Sequence, residues 1–102
     1  MTSRDLDYTA AAIGRRLVAA REVMGLTQTA MAAATGISQQ RLGTYERGER
    51  FPPVDFLARF WLVSGATSDF ILFGMWHTLP YDLARRLEMR KGGRPDGAAE
   101  AS

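Results

Sequence analysis

The sequence predicts an all-α fold of six short helices, and three observations carry that expectation. Glycine recurs at 25, 36, 48, 65 and 74, each time just past a stretch with helical apolar spacing, where helices are commonly stopped. Thr9, Thr27, Ser38 and Ser68 head four of these stretches, and Ser and Thr side chains accept hydrogen bonds from the first free amides of a helix. No segment shows the strict apolar and polar alternation of a strand, and no internal repeat is found.

Each element follows from its own residues. Thr9 is expected to cap the first helix, with Tyr8 and Ile13 forming a hydrophobic staple, and the helix runs to Met24 before Gly25 ends it. Thr27 caps a second, Gln28 to Thr35, which stops at Gly36. Ser38 caps a third, from Gln39 to about Arg47, followed by Gly48 and the turn-like Arg50-Phe51-Pro52-Pro53. A fourth runs from Val54 or Asp55 to Ser64, and Ser68 is expected to cap a short fifth, Asp69 to Phe73. Pro80 suits the first turn of a sixth, in which Leu79, Leu83 and Leu87 make an apolar stripe opposite Arg85, Arg86 and Arg90. The expected organisation is a flexible arm over 1–9, a domain over 10–74, a helical extension over 75–90 and a disordered tail over 91–102, where glycine, alanine and charge follow without periodicity.

Composition narrows the function. A chain of 102 residues, 46% hydrophobic, builds one domain of ordinary size. Charged residues interrupt every apolar run well short of the roughly 20 residues a membrane span needs, and the polar start has no signal-peptide core. A cytoplasmic protein without a membrane partner is therefore expected. The chain has 0 cysteines and one histidine, His77, with no acidic pair at catalytic or metal-binding spacing, so no enzyme, metal or cofactor is expected. Gly92-Gly93 has no following helix and makes no phosphate loop, and no small-molecule ligand is evident. The net charge is only +2, so local distribution must carry any argument for a polyanionic partner. Lys91 is the only lysine; arginine suits bidentate recognition of phosphate or guanine, although codon usage in a GC-rich genome gives the same bias.

The second and third helices form a helix-turn-helix. Met31 and Ala32 point inward, Gly36 supplies the turn, Ile37 fills the corner, and Leu42 and Tyr45 anchor the third helix at i, i+3 spacing. Gln40, Gly43, Thr44 and Arg47 then share the opposite face. Glutamine pairs with adenine, threonine offers a methyl and a hydroxyl, and arginine binds guanine or phosphate, so this face suits base reading in double-stranded DNA; a solvated helix surface is the plainer alternative. Gly43 within it fits either close approach to DNA or a tolerated weak helix position. Arg41 neighbours the face, where a phosphate or edge contact is expected. The amide-rich start of helix 2 at Gln28 is itself suited to an anion. Arg21 lies four residues after Leu17, and Glu46 four after Leu42, both on inward faces. A buried pair between helices 1 and 3 explains them best, since an unpaired buried charge is costly.

Ile13-Gly14-Arg15-Arg16-Leu17, Arg21, Gly25-Leu26-Thr27-Gln28, Met31-Ala32, Gly36-Ile37-Ser38, Tyr45-Glu46-Arg47-Gly48 and Pro52 together resemble, in order, the pattern of the phage repressor and Cro family of helix-turn-helix proteins. The resemblance spans residues 12 to 74. It implies a five-helix repressor-type domain, here with a C-terminal sixth helix, that acts as a homodimer on palindromic operators. It also implies that Gln28 binds phosphate and buttresses Gln39, that Gln39, Gln40 and Thr44 read bases, and that Arg47 and Arg50 grip the backbone. Arg21 and Glu46 match the family's structural ion pair. The aromatic Phe60-Trp61 and the residues after Gly74 depart from the pattern. Phe73, Trp76, Leu83 and Leu87 are expected to form or support a dimer contact, the alternative being that helix 6 folds back on its own core. The expected function is a dimeric transcriptional repressor, with activation equally allowed; the rival reading is a protein-interaction module, such as an antitoxin that binds its partner through the sixth helix.

Overall fold

Side-chain hydroxyls start four of the six helices. In the computed structural model, which describes residues 8–90, 93 and 95, Thr9 accepts from the Ala12 amide at 3.1 Å and opens α1 (Ala10–Val23). Thr27 opens α2 (Gln28–Thr35) and Ser38 opens α3 (Gln39–Glu46) in the same way. Each such cap contributes about 1 kcal/mol. The chain continues as α4 (Val54–Ser64), α5 (Ser68–Phe73), a single 3₁₀ turn over Trp76–Thr78, and α6 (Tyr81–Met89). Pro53 and Pro80 precede α4 and α6, and Asp55 and Asp82 in their first turns complement the helix dipoles. Apart from residues 8, 9, 93 and 95, the expected arm and tail lie outside the described residues.

Two local expectations are corrected, and Tyr8 makes a contact that its sequence position does not reveal. The cap of α5 is Thr67, not Ser68: its hydroxyl accepts from the Phe70 amide at 3.0 Å and also bonds the Thr78 hydroxyl at 2.6 Å, joining the helix start to the 3₁₀ turn. Tyr8 makes an edge-on ring contact with Phe73, with centroids 6.4 Å apart. Leu79 precedes α6 instead of lying within it, though it is buried in line with Leu83 and Leu87.

The core centres on α1, whose Ile13, Leu17 and Ala20 pack with Met31 and Ala32 of α2, Leu42 and Tyr45 of α3, and Phe56 and Phe60 of α4. Phe56 links the two halves of this cluster, its ring 5.1 Å from Tyr45 and 5.6 Å from Phe60. Phe60, an outlier by family pattern, is thus core. On the far side of α1 lie α5 and α6. Leu83 and Leu87 are 6% and 0% exposed within this single chain, so they have no surface left to offer a second copy. Helix 6 thus folds back on its own core, the alternative that the sequence left open. Of their two expected companions, Trp76 packs edge-on against Phe70 at 5.4 Å and Phe73 is half-buried under Tyr8. An ion pair between Arg90 and Glu22 at 2.7 Å holds the end of α6 to α1.

Two arginines secure helix ends from outside. The C-terminal carbonyls of a helix lack internal partners and carry partial negative charge. Arg16 of α1, fully buried, donates to the carbonyls of Ile71 and Leu72 at 3.2 and 3.3 Å, near the end of α5. Arg59 of α4 donates to the Thr35 carbonyl at 2.6 Å, at the end of α2.

Candidate nucleic-acid interface

The angle between α2 and α3 is set by the turn at Gly36. Its φ of 76° is a left-handed conformation that glycine adopts without penalty, and the Ile37 amide closes the turn on the Ala32 carbonyl at 3.0 Å. Ile37 packs on the core behind it. A close crossing fixes α3 from the other side: a β-carbon on Gly14 of α1 would collide with the backbone carbonyl of Glu46.

Behind the exposed face of α3 runs a continuous set of hydrogen bonds. Arg21 forks onto Glu46, Nε to Oε2 at 2.7 Å and Nη2 to Oε1 at 3.1 Å, with side chains only 14% and 4% exposed. Its third nitrogen donates to the Leu26 carbonyl at 3.0 Å. The sequence places this pair correctly. What it does not show is the next link, in which the Gln28 amide donates to Glu46 Oε1 at 2.9 Å. Gln39 in turn donates to Gln28 Oε1 at 3.3 Å and accepts from the Thr29 hydroxyl at 3.0 Å. The side chain that opens α3 is thereby held by both ends of its amide, through Gln28, to a buried ion pair.

Gln40 and Arg41 are exposed on the first turn of α3. Gln40 stands between two shallow grooves: one is lined by Ser38, Arg41, Thr44, Tyr45 and Arg50, the other by Gln28, Gln39, Gly43, Thr44 and Arg47. The expected reading and backbone residues are therefore brought onto one surface. Thr44 donates its hydroxyl back to the Arg41 carbonyl at 2.7 Å, which leaves the oxygen as an acceptor. Arg47 is paired: Nε and Nη2 bind the carboxylate of Glu49 at 2.9 and 3.2 Å. The hydrogen bond from Arg47 holds the Glu49 carboxyl below its ordinary range and raises Arg47 in turn. Sequence reading passed over Glu49, although its place one residue past the helix-ending Gly48 puts it within reach of Arg47.

A family model for the helix-turn-helix domain matches residues 12–69, more than half of the chain, and the protein belongs to this family in its phage repressor and Cro form. Among solved structures, the restriction-modification controller protein C.AhdI from Aeromonas hydrophila is similar at 25% identity and a TM-score of 0.56, covering 63% of this chain and 96% of its own. The clp gene regulator ClgR from C. glutamicum is 26% identical, with a TM-score of 0.59 and coverage of 69% and 90%. The c2 repressor of P22, solved in complex with a synthetic operator, is 25% identical over 59% of this chain and 91% of its own, with a TM-score of 0.56. No curated protein matches the sequence.

Proposed function

We propose that the protein is a sequence-specific, double-stranded DNA-binding transcriptional regulator that acts as a homodimeric repressor on a palindromic operator. The observation that carries this reading is the fixed Gln39 beside the exposed Gln40, with Arg41 and Arg50 at the edges of the same surface. Base readout needs side chains whose donors and acceptors are oriented before contact, and the chain of bonds from Arg21 to Gln39 supplies that order. With the Gln28 side chain engaged by Glu46 and Gln39, what the start of α2 offers a phosphate is the backbone N–H groups and positive end of the helix. The family membership and the regulators it resembles support the same conclusion.

The two copies meet, in this reading, on the outer face of α4. Val54, Ala58, Trp61 and Leu62, at spacings of four, seven and eight, share that face, and Trp61 is half exposed beside an apolar groove lined by Leu57 and Leu72. Asp55 and Arg59 on the same helix pair with one another at 3.4 Å, so a second copy meets no net charge there. In this reading α4 replaces the sixth helix as the contact, since Leu83 and Leu87 of α6 are buried on their own core. Among the described residues no helix is long and apolar enough to cross a membrane.

Selection from a random duplex library, run beside a Gln39→Ala, Gln40→Ala variant, tests the function. The native chain should enrich an inverted repeat with half-sites about one turn, roughly 34 Å, apart, and the variant should not. Enrichment of nothing by folded native protein would refute the reading.

A further inference from the structure

Helical side chains lean toward the N-terminus, over the turn that precedes them. Arg47, the residue that closes α3, therefore lies over position 43, which in most helices would be covered by that residue's own side chain. Here the position is glycine. A β-carbon built on Gly43 would stand 2.8 Å from Arg47 Nη1 and 3.6 Å from Cζ, so the guanidinium occupies the space that any other residue would fill. The groove it enters is the one lined by Gln39, Gln40 and Thr44, near the middle of the exposed face of α3.

Glu49 decides how the guanidinium is presented. An arginine can fork along its side, through Nε and one Nη, or at its end, through both Nη atoms. Glu49 takes the side, at 2.9 and 3.2 Å, which leaves the end for a planar acceptor pair. In the major groove that pair is O6 and N7 of guanine. A carboxylate beside DNA repels phosphate, so a pure backbone grip is poorly served by Glu49, whereas an oriented fork is well served by it. The ion pair is exposed, 59% and 54%, and by itself adds little to folding stability. Its effect is orientation.

We propose that Arg47 reads a guanine in each half-site, with Gly43 making the space and Glu49 the positioning carboxylate, in place of the backbone grip expected from the sequence. This rests on the DNA-binding function above. The test compares selected motifs from the native chain with those from Arg47→Lys, Glu49→Gln and Gly43→Ala. Lysine keeps the charge for phosphate but has no fork, so Arg47→Lys should lose a guanine preference at one base pair per half-site, by roughly 5- to 150-fold, with the other positions kept. Glu49→Gln should weaken the preference at that same base pair while raising affinity for random DNA. Gly43→Ala should melt at a higher temperature, because alanine favours the helix, yet lose the same guanine. An unchanged motif with Arg47→Lys would overturn the inference and return Arg47 to the backbone, as would Glu49→Gln tightening all sequences with no change of motif. In both cases the native motif survives and the wider function stands; a native chain that enriches no motif removes the function and this inference together.

Discussion

Gly14 and Glu46 meet where α1 and α3 cross, and at this scale single atoms control the reading helix. Gly14→Ala inserts a β-carbon against the Glu46 backbone, which cannot rotate away as a side chain would. The helices must separate, so a loss of about 1–3 kcal/mol is expected in urea unfolding, together with weaker DNA binding as α3 is displaced. Glu46→Ala has a different basis. It strands the Arg21 charge and the Gln28 amide at once, and breaking a buried pair in this way costs roughly 3–5 kcal/mol. Glu46→Gln, which keeps the shape and one acceptor, should lose less in the same measurement. Arg21 and Glu46 were legible in the sequence because each fell on an apolar stripe with the wrong polarity. Gln28 was not legible as a partner of Glu46, since that bond depends on how the start of one helix faces the end of another. Arg16 shares the stripe of Ile13 and Leu17, but nothing in the sequence could show that the carbonyls of Ile71 and Leu72, some 55 residues on, would receive it.

At the scale of elements, glycine stops and hydroxyl caps located the first five helices, because those signals act within a single turn of backbone, while Pro80 and the leucine stripe marked the sixth. The 3₁₀ turn over Trp76–Thr78 has no such marker. Thr67 outcompeted Ser68 as a cap through a bond to Thr78, eleven residues away. The destination of α6 was equally hidden: an amphipathic stripe shows that a face is covered and not by what. Its burial against α1 makes Leu87→Ala a core truncation, expected to destabilise the fold by about 2–5 kcal/mol in thermal or urea unfolding. Its sedimentation should match that of the native chain at concentrations where both are folded, since the residue faces no second copy.

For the whole molecule, the proposed dimer rests on the outer side of α4, where Val54, Trp61 and Leu62 are exposed together. Trp61→Glu places a charge on each side of a two-fold contact there, and should yield monomers in sedimentation with the melting temperature little altered. Operator affinity should fall with it, while base preference within one half-site remains. A variant that stays dimeric would place the contact elsewhere. Phe60-Trp61 stood out in the sequence as an aromatic pair, but which of the two is exposed depends on the helix phase, which sends Phe60 inward and Trp61 out.

The chain of bonds from Arg21 through Glu46 and Gln28 to Gln39 also bears on how such a regulator changes its target over time. Gln40 and Arg41 are exposed and lie outside this chain of bonds, so on the proposed function substitution of Gln40 should change base preference, and of Arg41 affinity, with the fold intact. Gln39 is tied into the scaffold, and Gln28 and Glu46 more tightly still. On that reading new specificities are most accessible through Gln40, while Gln39 stays fixed as a reference point from which the rest of the target is measured.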